Sequence, residues 1–397
     1  MFTVLPRLRK ALRPLAALTA AALLSACDPT MVGGLGGSGA SSGGPTIDAS
    51  APIPVALLVP KSDSGAGPVA ASLENAARLA IQEQSGVQID LRVYDTAGQS
   101  AQAAAQAQKA VDDGAKIILG PLFSEAANAA GAAVADDGVN VLSFSNTTAI
   151  AGGNVFILGP TFANTADRLL AHARKRGKKS IVIVYSDDVP GQFGKIAIEQ
   201  AATSNGIRVV AAEPYSLSIE GVAAAAQRAG ATVKSGAADT VFITTDATNA
   251  AMPMLLNQLP ENGVAPGQIQ YVGLTRWDVR PDLFSLAGAQ GAWFAIPDTQ
   301  RQEAFNQRYA TTFGAAPHPL AGLAYDGISA VALLAKRGRS DALTGKSLTS
   351  SGFTGTGGVF RLLKDGTNER ALAVATVQNN QMVILDPAPS NISGAGF

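Results

Sequence analysis

The chain has 397 residues, with 30 Lys plus Arg against 30 Asp plus Glu, two histidines and one cysteine. Zero net charge argues against a nucleic-acid partner, on the expectation that no basic cluster lies beyond the N-terminal segment. One cysteine excludes a disulfide framework within the chain.

The N-terminus decides the compartment. Arg7, Arg9, Lys10 and Arg13 precede an apolar stretch, Leu15 to Leu24, which small Ser25 and Ala26 close. This pattern predicts a signal peptide over residues 1–26, its apolar core too short for a permanent span. Leu24-Ser25-Ala26-Cys27 resembles the lipobox of bacterial lipoproteins, so Cys27 is expected to carry the lipid. The alternative is a plain secretory signal followed by a lone buried thiol. Each buried methylene contributes about 0.8 kcal/mol of membrane affinity, so two or three acyl chains hold a protein stably. Asp28 resembles the inner-membrane retention signal of enterobacterial lipoproteins, and the choice of inner or outer membrane stays open. Residues 27–52 then read as lipidated Cys plus Gly/Ser-rich linker, a tether of roughly 25 Å. Gly34, Gly36 and Gly39 fit a dinucleotide-binding spacing, but no strand precedes them and no helix follows.

The remaining stretch, about 345 residues, is too long for one ordinary core and predicts two lobes. Short β-branched runs alternate with amphipathic Ala-rich segments, the pattern of parallel βαβ units. Ile53 to Val59, Gln88 to Tyr94, Lys116 to Leu119, Asn140 to Leu142 and Val155 to Leu158 read as strands. Helical spacing covers Pro68 to Gln84, Ala101 to Val111 and Ser124 to Ala135 between them. Gly159-Pro160 marks a crossing to a second lobe, where the same alternation restarts. Ala292 to Ile296 marks a return, followed by long helices over Gln302 to Phe313 and Ala321 to Lys336. Gly358 to Leu363, Arg370 to Gln378 and Gln381 to Leu385 read as antiparallel strands, with turns at Lys364 to Thr367 and Asn379-Asn380. The expected lobes are 53–158 with 297–338, and 159–296 with 339–390, joined by several strands that make a hinge.

Several of these segments resemble the leucine-binding-protein-like family: Val55 to Pro60, Asn75 to Ala80, Tyr94-Asp95-Thr96, Ile118 to Leu122 and Tyr325-Asp326. So does the tail, with Gly352 to Gly355, Gly358 to Arg361 and Asp365-Gly366. The resemblance implies a type I periplasmic-binding-protein fold, two doubly wound α/β lobes with parallel sheets. Gly120 to Ser124, Ser143 to Asn146 and Asp386 to Pro389 look most like the branch of penicillin-binding-protein activators. Enterobacterial activators carry a helical-repeat domain ahead of this one, where the present chain has a linker.

Ligands of open parallel sheets bind beyond the carboxyl ends of the strands. In the first lobe that points to Ser124, where free N–H groups at a helix start favour an anion, or where the hydroxyl simply caps the helix. It also points to Ser143 to Thr148, a polar stretch containing Ser145, Asn146 and Thr147. The family resemblance implies that Ser124, Ser145 and Thr147 hold the α-carboxylate and ammonium of an amino-acid-like ligand. Asp188, Asp246, Trp277 and Asp278 follow predicted strands of the second lobe, the carboxylates as partners for an ammonium. Trp277 is read as a cleft wall or as a core residue.

No catalytic constellation emerges. His172 and His318 lack metal-ligand spacing, Cys27 is at the lipid site, and nucleophile-elbow and P-loop patterns are missing. The expectation is a non-enzymatic, periplasm-facing lipoprotein without cofactor or metal. By resemblance it activates a penicillin-binding protein that synthesises peptidoglycan; the alternative is the substrate-binding lipoprotein of an amino-acid ABC transporter, with a permease as partner.

Overall fold

A computed structural model of the chain describes residues 44–392. The expected signal peptide, Cys27 and most of the linker lie outside the described residues. At its far end the linker is shorter than expected. Ile47 is buried in the first core, and its N–H donates to the Ser340 carbonyl at 2.9 Å.

The first lobe opens with β1 (Ile53–Val59), α1 (Gly67–Glu83), β2 (Ile89–Asp95), α2 (Ser100–Asp112) and β3 (Ile117–Leu119). It continues through α3 (Ser124–Ala133), β4 (Val141–Ser143) and β5 (Val155–Ile157). The five strands form one sheet in the order β2-β1-β3-β4-β5, with every pair parallel. In β1 only Pro54 escapes full burial, as an almost unbroken apolar run requires when helices cover both faces. On α1, Leu73, Ala76, Ala77 and Ala80 are buried at the i, i+3, i+4, i+7 positions that make one helical face.

The second lobe runs through α4 (Phe162–Lys175), β6 (Ser180–Ser186), α5 (Val189–Asn205), β7 (Arg208–Tyr215) and α6 (Ile219–Lys234). It continues with β8 (Thr240–Ile243), α7 (Ala251–Glu261), β9 (Gln270–Gly273) and β10 (Trp293–Ile296). The chain then returns to the first lobe as α8 (Thr299–Phe313), α9 (Gly322–Ala335) and α10 (Gly345–Leu348). A small antiparallel sheet follows, β11 (Gly352–Gly355), β12 (Gly358–Leu362) and β13 (Asn368–Arg370). Finally β14 (Ala373–Gln378) and β15 (Gln381–Asp386) join the second lobe. Its seven-stranded sheet has the order β15-β14-β10-β9-β8-β6-β7, antiparallel only at β14 and β15. Asn379 and Asn380 turn between those two strands with φ of 52° and 62°, the left-handed pair that a two-residue hairpin demands.

One expected boundary moves. The sequence places residues 339–390 in the second lobe, but Ala342, Leu343, Leu348, Phe353, Phe360 and Leu362 are buried in the first lobe's core. The small sheet has one apolar face, and α9 is where that face is covered. Only β14 and β15 belong to the second lobe.

The lobes are joined where β5 leads to α4, where β10 leads to α8, and where β13 leads to β14. These crossings are tied together. The Asn368 side-chain amide donates to the carbonyls of Ile157 and Gly159 at 2.8 and 2.9 Å. Arg370 Nε donates to the Leu158 carbonyl at 3.0 Å, and Asp298 N–H to that of Gly357 at 2.8 Å. Arg370 also pairs with Asp326 of α9 at 3.3 Å, the two side chains 10% and 1% exposed. Burial pushes the Asp326 carboxyl up, against the opposing pull of Arg370 and the Thr356 N–H.

Candidate functional site

The carboxyl ends of the strands in both sheets face a cleft. On the first lobe, β3 is followed by Gly120, whose φ of +88° and approach to the Leu58 carbonyl leave no room for a Cβ. That turn sends the chain into α3. Phe123 occupies the cap position without a side-chain cap bond, so Ser124 is the first helical residue rather than the cap. Ser124 is half-exposed at this end of the lobe.

Beyond β4 the loop is shaped by its own hydroxyls. Ser143 Oγ donates to the Pro121 carbonyl at 3.2 Å and accepts from Ser145 N–H at 3.1 Å. Ser145 Oγ in turn accepts from Thr147 N–H at 3.1 Å. Ser145 is 6% exposed, so its hydroxyl serves the loop and not the cleft. The effect is to present Asn146, Thr147 and Thr148 outward. Gly159 makes the crossing strand fit against this loop, since a Cβ there would stand 2.5 Å from the Ser145 carbonyl.

These three residues line a cavity of about 490 Å³ whose other wall comes from the second lobe. That wall is apolar except for Gln200: Phe162 stands at the start of α4, and Val189, Phe193 and Ile196 on α5. Val189, Phe193 and Ile196 are 68%, 50% and 44% exposed, so large apolar groups stand open to the cleft. Phe162 also borders a second cavity of about 390 Å³, lined by Asp246, Thr248, Arg276, Val279 and Gln302 among others.

The expected acidic residues divide. Asp188 is the N-cap of α5, accepting from Gly191 N–H and from Ser186 Oγ, both at 2.8 Å. Asp278 is held by both nitrogens of the Arg276 fork. Asp246 closes its own turn, accepting the Thr248 N–H at 2.8 Å, and still lines the second cavity. Trp277 is a core residue, not a cleft wall. It is fully buried in the second core, stacked on Phe294 with ring centroids 5.9 Å apart, and offers no wall to the cleft. Of the expected residues, Asn146, Thr147 and Asp246 line the two cavities; Ser124, Ser145, Asp188, Trp277 and Asp278 line neither. Phe162, Val189, Phe193 and Ile196 were not foreseen. The sequence signal for them is Val189-Pro190 directly after Asp188, an N-cap with Pro at the helix opening, which starts α5 at Val189.

Arg174, Lys175, Arg176, Lys178 and Lys179 form a basic run at the end of α4, so the cations are not dispersed beyond the N-terminus. Among the described residues no group of His, Cys, Asp or Glu is placed to hold a metal ion.

A family model described as a periplasmic binding protein matches residues 52–381. The chain belongs to that family. Membership places its folded part in the periplasm, among proteins that bind solutes. It is similar in fold to a branched-chain amino acid ABC transporter ligand-binding protein from Burkholderia xenovorans, with TM-score 0.65 and 17% identity over 85% of this chain and 95% of that one. A substrate-binding protein from Desulfitobacterium hafniense in complex with Leu gives TM-score 0.58 and 18% identity, over 84% and 100% of the two chains. A solute-binding protein from Rhodopseudomonas palustris in complex with 3,4-dihydroxybenzoic acid gives 0.54 and 21%, over 85% and 98%. No curated protein matches the chain.

Proposed function

We propose that this chain is the substrate-binding lipoprotein of an ABC transporter, tethered through Cys27, and that its cleft takes a small acid with an apolar body. The observation that carries this reading is the first cavity, where the amide and hydroxyls of Asn146 to Thr148 face the exposed apolar groups of α5. An acid's oxygens suit the polar bank, and its hydrocarbon part suits Phe162, Val189 and Phe193. The lobes are joined through three crossings, and a ligand that touches both favours the closed arrangement by its higher affinity for it. The related proteins named above, with Leu and with a benzoate, supply the two acids to try first.

Transport thus stands ahead of the synthase-activator reading. The motifs that resemble the activator branch have jobs in the fold: Ser143 and Ser145 shape a loop, and Asp386 meets Arg168 at 3.0 Å and His172 at 3.4 Å. They therefore do not separate the two functions. The test is calorimetry of the purified chain with branched-chain amino acids and with benzoates, alongside mass spectrometry of any co-purified molecule. Saturable binding of one class, with a smaller radius by X-ray scattering, is the expected result. Absence of any ligand, together with in-cell crosslinking to a penicillin-binding protein, replaces transport with activation.

A further inference from the structure

The second lobe has a basic pole at the end of its sheet opposite the cleft. Arg174 and Lys175 close α4, Arg176, Lys178 and Lys179 lie in the turn to β6, and Arg208 begins β7. Ser180 of β6 pairs with Arg208 of β7, and Arg208 N–H donates to the Lys179 carbonyl at 2.9 Å, which sets these cations side by side. All are exposed except Lys178, which is half-buried.

A helix C-terminus favours one or two cations, and Arg174, from the end of α4, serves the end of α5 by donating to the carbonyls of Asn205 and Gly206 at 2.7 and 3.2 Å. The helix dipole falls off within a turn, and Lys178 Nζ donates to the Asp239 carbonyl at 3.4 Å, which leaves Lys179 and Arg208 without a structural role. Among the described residues none of these six makes an ion pair. The acids nearby are committed elsewhere. Asp239 accepts from the backbone N–H of Lys179 and from Thr240 Oγ1, Asp167 from Asn205, and Asp386 from Arg168 and His172. Asp239 and Asp167 keep their negative charge, and six cations against them still leave a concentrated excess of positive charge at this pole.

We propose that this pole docks on the anionic phosphate surface of a membrane. The cations line none of the cavities described above, so they suit an extended array of phosphates rather than one enclosed anion. No aromatic side chain stands among Arg174 to Lys179, so the base-stacking platform of a single-strand binder is missing. The family is periplasmic, where a lipid surface is the polyanion at hand. Docking by this pole leaves the cleft, at the other end of the same sheet, open to solvent. The proposal stands apart from the transport reading, since it uses none of the cleft residues.

The test uses the chain from Asp28 onward, which lacks the lipidated cysteine and keeps every residue of both cores. Co-sedimentation is measured with phosphatidylcholine vesicles and with vesicles containing one quarter phosphatidylglycerol. Binding only to the anionic vesicles, weakening steeply with salt, is expected. Lys175→Glu, Arg176→Glu, Lys178→Glu and Lys179→Glu together are expected to weaken it by roughly a hundred-fold or more. Circular dichroism checks the fold of that variant, and if it fails, the four Gln substitutions take its place. Equal affinity for both vesicle types, no binding at low salt, or full binding by the substituted chain overturns the proposal. Tighter binding to duplex DNA than to the anionic vesicles overturns the membrane assignment.

Discussion

The two banks of the cleft are built alike and present opposite chemistry. Both are carboxyl ends of parallel strands, yet the first lobe offers Asn146, Thr147 and Thr148 on a loop braced by serine hydroxyls. The second offers Phe162, Val189, Phe193 and Ile196, while Asp188 and Asp278 are occupied within their own lobe. A strand end fixes where a residue emerges; the neighbours within hydrogen-bond reach decide whether it is free to meet a ligand. A short carboxylate next to a helix start finds backbone N–H groups first.

The largest effect is expected where the banks are joined. Asp326→Ala leaves the Arg370 guanidinium buried without its counter-charge, and unfolding in urea should show a loss of about 3–5 kcal/mol. An effect below 1 kcal/mol would show that the pair does not hold the crossings. Trp277→Ala comes next, since its ring is fully buried against Phe294, and about 3–5 kcal/mol of stability should go with it. If Trp277→Ala instead keeps its stability and loses ligand, the ring belongs to the cleft after all.

Phe193→Ala is the converse experiment. The ring is half-exposed, so stability should change by less than about 0.5 kcal/mol. Ligand affinity, measured with whichever acid binds the native chain, should fall roughly ten- to a hundred-fold for the lost apolar contact. Unchanged affinity would remove α5 from the site. Asp188→Ala should do the opposite on a smaller scale, costing about 1 kcal/mol of stability through the lost cap, with Asp188→Asn retaining most of it. A change in ligand affinity without a change in stability would return Asp188 to the ligand.

The alternation of strands and helices was legible because an apolar run covered on both faces, as in Ile53 to Val59, leaves little ambiguity. The Ser143 to Thr148 loop was legible as polar, but not the division of labour within it, since Ser145 and Asn146 look equally available until burial separates them. Residues 342–362 went to the wrong lobe because antiparallel strands carry no mark of the sheet or helix they will cover. Trp277 was ambiguous for a different reason: Gly273 makes its room in the core, where a Cβ would stand 2.3 Å from the indole nitrogen. The basic run at Arg174 to Lys179 was visible in the sequence throughout and hidden by an overall charge of zero.

The dependence of stability on pH again sets one lobe against the other, through the two histidines. Burial lowers the pKa of both, against an upward pull from Asp386 on His172 and with a further downward one from Arg176 and Arg168. His172 is 2% exposed; its Nδ1 faces Asp386 at 3.4 Å, its Nε2 has no partner, and its ring meets Trp293 edge-on at 4.9 Å. His318 is half-buried, and its Nδ1 accepts the Leu320 N–H at 3.2 Å, a bond that protonation there would break. A folded pKa below the unfolded value of about 6.5 means that the unfolded chain binds the proton first as pH falls. Stability is therefore full above about pH 6.5 and declines below it, by no more than about 1.4 kcal/mol per pH unit for each histidine. His172→Gln should flatten that decline more than His318→Gln, because charging His172 puts an unpartnered N–H into the core of the second lobe. Urea midpoints measured between pH 7.5 and 5 decide it. A steeper dependence removed by His318→Gln would place the acid-sensitive group in the first lobe instead.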